Sequence, residues 1–353
     1  MDARQQLLQE WVNSSLPELN LGHPKGSLET VSGDASFRRY FRQFTDSASF
    51  ICVDAPPEKE DSHPFVQIAN SWYEQGVHVP KVIKADFEQG LMLLSDLGDD
   101  LLLPALNDDT ADELYGLAIE SLVDIQKTHT NDHPLPDYDA ELLDREMGLF
   151  PEWYLTKHLG MTLSPSDERI LAETFELLRN TAMGQPQVPV HRDYHSRNLM
   201  LVNKNNDSGQ QDVELGIIDF QDAVIGPFTY DLVSLLRDCY IEWPVDQVEQ
   251  WAHQYFQKAH YAGIAGGQSP EQLMLWFDWM GLQRHIKVAG IFARLNHRDG
   301  KTAYLDDIPL TMRYIEQVTA KYEGLSTFHQ WLSEKVLPLQ AQYEQSARTK
   351  GAQ

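Results

Sequence analysis

One stretch, from Val190 to Asp231, constrains this chain more than any other. It reads V-H-R-D-Y-H-S-R-N-L-M-L-V, then a polar tract, then L-G-I-I-D-F-Q-D-A-V-I-G-P-F-T-Y-D. A short apolar run carries His191, Arg192 and Asp193 to a turn, Asn198 follows Asp193 by five positions, and a second apolar strand runs into Asp219. Strand ends thus supply two carboxylates and an amide. A single Asp or Asn at a strand end is ordinarily a turn or capping residue, because its short side chain bonds nearby backbone N–H groups. The three together, at these spacings and in a strand–loop–strand context, ask for a chemical explanation.

The combination resembles the catalytic centre of protein-kinase-like phosphotransferases. The resemblance implies that Asp193 accepts the proton of a substrate hydroxyl, and that Asn198 and Asp219 bind Mg²⁺ shared with ATP. The expected fold is α+β and two-lobed, with an N-terminal lobe over residues 1–98 carrying an antiparallel sheet and the nucleotide. A mainly helical C-terminal lobe is expected over 99–345, with the catalytic loop and the acceptor site, and a frayed tail over 346–353.

Composition sets limits on this reading. A chain of 353 residues, 42% of them hydrophobic, suggests about two domains with cores of ordinary size. The two cysteines, Cys52 and Cys239, lie in apolar surroundings and read as thiols rather than a disulfide framework. The N-terminus M-D-A-R-Q-Q-L-L-Q-E-W lacks an apolar signal core, and no apolar run is long enough to span a bilayer, so a cytoplasmic protein is expected. The formal net charge of −25 argues against general nucleic-acid binding. An anionic nucleotide must then be received locally, by Mg²⁺, a few basic groups or backbone N–H groups.

Taken in order, Leu7, Leu8, Trp11, Val12 and Leu16 mark one face of a first helix, and the tract to Val31 reads as loop. The run L-E-T-V-S-G-D-A-S-F-R-R-Y-F-R-Q-F reads as two strands around a turn. In kinases such a turn covers the ATP phosphates. Here it holds only Gly33, yet Ser32, Ser36 and the turn's N–H groups suit phosphate oxygens, and Arg38 or Arg39 adds charge. A plain polar hairpin turn is the alternative. A kinase places a phosphate-binding lysine near the end of the third strand, S-F-I-C-V-D-A-P-P, where this chain has Asp54. Arg38, Arg39 and Lys59 are the candidate replacements.

Residues 64–75 read as a helix with Trp72 in the core. Two strands follow around Glu88-Gln89-Gly90, and the run through Leu94, Asp96 and Leu97 crosses between lobes in a kinase-like fold, where backbone groups meet the adenine edge. Helices are expected over 109–128, 138–158 with a break at Pro151, and 164–183. The tract 203–212 reads as a hairpin loop on the surface. Asp231 is expected to cap the next helix and brace the catalytic loop, and Asp222 ranks below Asp219 as a metal contact. Arg284, Lys287 and Arg294 punctuate an apolar helix and are either solvated or held in pairing or substrate contacts.

The stretches G-D-A-S-F-R-R-Y, D-A-P-P-E, L-S-D-L-G, V-H-R-D-Y-H-S-R-N-L-M, G-I-I-D-F-Q-D-A and Q-R-H-I-K-V-A-G-I-F-A-R-L resemble the aminoglycoside phosphotransferase-like superfamily. Within it they are most similar to bacterial anomeric kinases of N-acetylmuramate and N-acetylglucosamine, used in cell-wall recycling. That resemblance implies ATP-dependent phosphorylation of the C1 hydroxyl of an amino sugar, with Asp193 as base. It further implies a cation for the lactyl carboxylate of N-acetylmuramate, for which Arg197, Arg284 and Lys287 are candidates, while His195 meets a sugar hydroxyl or braces the loop. Another acceptor within the same fold, such as an aminoglycoside, homoserine, choline or a different sugar, stays open, as does a non-catalytic relative. A protein kinase is disfavoured, because Asp219-Phe220-Gln221 replaces Asp-Phe-Gly and no Ala-Pro-Glu segment follows.

Overall fold

The computed structural model describes residues 2–32, 37–130, 133–205 and 211–351. In chain order the elements begin α1 (Ala3–Glu18), β1 (Lys25–Ser32), β2 (Arg39–Phe44), β3 (Ser49–Asp54), α2 (His63–Glu74), β4 (Val82–Asp86) and β5 (Leu91–Ser95). They continue with α3 (Leu102–Ala105), α4 (Ala111–Gln126), α5 (Ala140–Met147), a π-helical segment (Phe150–His158) and α6 (Pro165–Met183). Then come β6 (Gln187–Val190), β7 (Leu199–Asn205), β8 (Gln211–Ile217), β9 (Val224–Pro227), α7 (Tyr230–Leu236), α8 (Val245–Tyr261), α9 (Pro270–Asp299) and α10 (Ile308–Lys321). Shorter helical pieces complete the chain. Two compact units result: Met1–Thr110 with Thr128–Pro134 and Arg197–Ala223, and Ala111–Lys127 with Leu135–Ser196 and Val224–Gln353.

The first unit is built on an antiparallel sheet in the order β1-β2-β3-β5-β4. Side chains alternate across a strand, so each face can be read from the register. Phe41, Cys52 and Leu93 are cross-strand partners, and they pack with Leu8, Val12 and Leu16 of α1 in one buried cluster. β1 starts at Lys25, three residues ahead of the run read as strand, and Leu28 joins this core while its N–H donates to Gln9 Oε1 at 2.9 Å. Asp54 belongs to the same face and is fully buried, ion-paired at 2.5 Å to Arg4 of α1 and at 2.5 Å to Arg39, its cross-strand partner. It ties α1 to the sheet. Tyr40, Val53 and Leu94 alternate to the face opposite Asp54.

On the other side of the same unit, Phe65, Ile68, Ala69 and Trp72 bury one stripe of α2. Phe65 and Trp72 pack on Phe220, with ring centroids 4.9 and 5.8 Å away. β7 and β8 form a hairpin whose strands extend into the polar tract expected to be loop, since the ladder continues to the pair Asn205 and Gln211. Backbone bonds from Leu201 N–H to Asp100 O (2.7 Å) and from Ile217 N–H to His78 O (2.9 Å) join the hairpin to the unit.

The second unit is helical around α9, which Ser269 caps and Gly300 ends in a left-handed conformation (φ 70°). The π-helical segment, starting at the break expected for Pro151, packs on α9 so closely that a Cβ at Gly290 would lie 2.5 Å from the Leu149 carbonyl carbon. β6 pairs with β9, Val190 opposite Val224, and leads at its C-terminal end into the loop that carries Asp193. Cys52 and Cys239 are free and buried, and no helix among the described residues is long and apolar enough to cross a membrane.

Candidate active site

The loop after β6 is held by buried carboxylates. Asp231, fully buried on α7, accepts the N–H groups of His191 at 2.7 Å and Arg192 at 3.0 Å. It braces the loop as expected. It also stands in the first turn of α7, where an acid suits the helix N-terminus, and the flanking Thr229 side chain makes no cap bond among the described residues. Burial pushes the Asp231 pKa up to about 7, against the two N–H bonds that lower it. Asp238 fixes the far end, accepting from Ser196 N–H (3.0 Å) and Oγ (2.5 Å). The Tyr194 hydroxyl donates to Ala118 O at 2.8 Å. Arg192 sits at φ 77°, a left-handed conformation unusual outside glycine, and its guanidinium meets Glu146 at 2.5 Å. Strain of this kind persists only where surrounding contacts over-determine it, as these do.

Asp193, His195, Arg284 and Lys287 line one cavity of about 160 Å³ within the second unit. Tyr230, Tyr240 and apolar residues of α9 complete its wall. Arg284, Lys287, Val288, Ile291 and Leu295 follow the helical repeat, so the charges on the apolar stripe of α9 face this cavity rather than bulk water. Lys287 is paired with Glu146 at 3.1 Å and donates to the Tyr230 hydroxyl at 2.9 Å. Arg284 is buried, and its one hydrogen bond among the described residues is to Cys239 Sγ at 3.7 Å. Burial alone would raise the Asp193 pKa, but Lys287, His195, His191 and Arg284 outweigh it and hold the carboxyl below its usual range. Asp193 is therefore an ionised carboxylate in a pocket lined by cations. A larger hollow of about 600 Å³ in the same unit, beside Arg237, Asp278 and Lys321, contains none of these residues. Within it Arg237 pairs with Asp278 at 2.5 Å and Lys321 with Asp278 at 2.8 Å, while Glu242 pairs with Arg313 at 2.7 Å.

In the first unit, Asn198 and Asp219 flank the hairpin rung that joins Leu199 to Ile217. The Asn198 amide donates to Asp219 Oδ2 at 3.3 Å, and the Gln221 amide donates to Oδ1 at 2.9 Å. Asp219, like Arg192, has positive φ (65°). Arg197 and Asp222 are exposed in this unit. Leu94 is buried in β5, opposite Ile51. The Asp96 carboxylate is engaged by Arg42 through bonds of 2.6 and 3.0 Å, which leaves its residue a backbone role at most in nucleotide binding. Leu97 packs on Gly216, where a Cβ would lie 2.7 Å from Leu97 Cδ1. Gly33 and Ser36 lie outside the described residues, and Ser32 ends β1.

Sequence reasoning missed Glu146 and Asp238. Glu146 falls between Leu143 and Met147, where a buried stripe leaves no place for an unpaired acid, and that pattern was the available signal. Asp238 had none beyond its place after the α7 run.

The fold and the site define an ATP-dependent phosphotransferase of the two-lobed, aminoglycoside phosphotransferase-like kind. The model of the phosphotransferase enzyme family matches residues 27–267, and the chain belongs to that family. It is similar to the N-acetylmuramate/N-acetylglucosamine kinase of Pseudomonas aeruginosa, 43% identical over 337 residues, covering 94% of this chain and 97% of that protein. The protein of the same name from Neisseria meningitidis is 40% identical, covering 94% and 96%. Among solved structures, Plasmodium vivax ethanolamine kinase shares the fold with a TM-score of 0.61 at 13% identity, covering 88% of this chain and 86% of that one. Choline kinase from Streptococcus pneumoniae does so at 0.58 and 12%, covering 91% and 100%.

Proposed function

We propose that the protein transfers the γ-phosphoryl group of ATP to the anomeric C1 hydroxyl of N-acetylmuramate and N-acetylglucosamine, giving the sugar 1-phosphate and ADP. The observation that carries this reading is the cavity in which the ionised Asp193 shares a wall with His195, Arg284 and Lys287. Asp193 accepts the C1 proton as the hydroxyl attacks. An anomeric hydroxyl is more acidic than an ordinary alcohol, so a carboxylate held ionised suffices as its base. Phosphoryl transfer otherwise demands positioning and charge neutralisation more than covalent help.

Arg284 is the cation best suited to the lactyl carboxylate of N-acetylmuramate, since Lys287 is already committed to Glu146. His195, packed edge-on against Tyr240, orients a sugar hydroxyl. Asn198 and Asp219 fit Mg²⁺: their oxygens are hard donors, and this ion takes few protein ligands beside phosphate and water. When bound, the ion neutralises charge on the β- and γ-phosphates. Leu94 and the backbone around Leu97 serve the adenine. A reaction that consumes ATP puts the protein in the cytoplasm.

The test is ADP release with Mg-ATP over N-acetylmuramate, N-acetylglucosamine, other hexoses, kanamycin and homoserine, followed by phosphorus NMR of the product. Phosphate on C1 of both amino sugars is expected. Turnover confined to an aminoglycoside or amino alcohol would refute the substrate assignment.

A further inference from the structure

Protein kinases hold the ATP phosphates with a lysine braced by a glutamate. The third strand of this chain ends in a carboxylate that faces α1, so the cation must come from elsewhere. Of the three candidates, Arg39 is spent on Asp2 and Asp54 on the α1 side. Lys59 is exposed, 4.8 Å over the Phe37 ring. Arg38 differs from both. It precedes β2 in step with Tyr40, on the face opposite Asp54, and only 6% of its side chain is exposed. Its guanidinium lies 5.7 Å over Phe65 of α2 and 3.5 Å from Glu60 in the loop that leads into α2. Phe65 stacks on Phe220, the neighbour of Asp219. Tyr40 links the two ends, being hydrogen-bonded to Arg38 and near enough to Asp219 to feel its charge.

We propose that Arg38, braced by Glu60, takes the place of the missing lysine and binds the α- and β-phosphates of ATP. The residue just before the neighbouring strand supplies the cation that the third strand lacks, and the segment before α2 supplies its acid. The planar fork of a guanidinium suits this task, because one edge can bond a carboxylate while another bonds phosphate oxygens. In a chain of net charge −25, a cation fixed at the phosphate position also offsets the global repulsion of the nucleotide. The inference rests on the ATP-dependent reaction but on no particular acceptor.

Its test compares ADP with adenosine, which lacks the phosphates. Isothermal titration of Arg38→Gln should weaken ADP by about 10- to 100-fold, the worth of charge-assisted hydrogen bonds, and leave adenosine within twofold. Arg38→Lys should recover part of the loss, Glu60→Gln should fall between, and the KM of the amino sugar should stay within twofold in every variant. Equal weakening of ADP and adenosine would mark Arg38 as a structural clamp and overturn the proposal, as would unchanged ADP affinity in Arg38→Gln. A wild-type protein that binds ADP but phosphorylates no amino sugar would count against the acceptor assignment alone.

Discussion

Replacing Glu146 by glutamine removes a charge that steadies both Arg192, the neighbour of Asp193, and Lys287 in the Asp193 cavity. The Glu146 side chain is 8% exposed, and its Oε1 meets Arg192 at 2.5 Å and Lys287 at 3.1 Å, while Oε2 accepts the Tyr138 hydroxyl. Burial opposes ionisation, yet Lys287 and Arg192 bring the carboxyl below its usual range, so the folded protein holds the anion. Glutamine keeps the shape and leaves two cations facing a neutral amide. Removing one partner of a fully buried pair costs about 3–5 kcal/mol. Arg192, 20% exposed, regains part of this from solvent, and Lys287, 9% exposed, regains little. A loss of about 2–3 kcal/mol is therefore expected near pH 7.5, measured by urea unfolding. Because Arg192 adjoins Asp193 and Lys287 lines its cavity, kcat should fall in the same variant while ADP affinity holds. A loss below about 1 kcal/mol with unchanged kcat would refute the reasoning.

His285 should make the protein acid-sensitive. It is fully buried, stacked on Tyr314 and donating from Nε2 to Arg237 O at 3.0 Å, and burial together with Arg284 brings its pKa down to about 3. The unfolded chain takes up this proton near pH 6.5, so the contribution is complete above that pH and drains away as pH falls toward the folded value. Wild type should lose about 2 kcal/mol more than His285→Gln between pH 7.5 and 5 in urea unfolding, and parallel losses would contradict the assignment. Gly290→Ala drives a methyl group into the Leu149 carbonyl and should lower stability by about 1–3 kcal/mol, read as a fall in the urea midpoint.

The reach of the sequence was greatest where chemistry fixes spacing. The strand–loop–strand context expected around Asp193, Asn198 and Asp219 is present, since β6 precedes the first and the β7–β8 hairpin separates the other two, and the apolar periodicity of α1, α2 and α9 located the main packing surfaces. Local reading fell short at β1, which starts at Lys25 ahead of the run read as strand, and at the hairpin, where the ladder runs on into polar residues. Which face a side chain meets also depends on strand register. A linear sequence left Asp54 as a departure from a kinase pattern, whereas its register shows a buried anchor for Arg4 and Arg39. On α9 the spacing of Arg284 and Lys287 was visible, but the cavity they line required the loop after β6 and Tyr230 on α7. Asp231 was assigned both a cap and a brace, and the two N–H bonds it accepts account for the brace.

The most direct test of the central claim is turnover of N-acetylglucosamine and N-acetylmuramate by Asp193→Asn beside wild type, with ADP and sugar affinities measured in parallel. Asparagine keeps the side-chain shape and discards the base. The account predicts that wild type places phosphate on C1 and that the variant retains both ligands but loses about 10²- to 10⁴-fold in kcat. Wild-type turnover in the variant, or phosphate on another carbon, would contradict it.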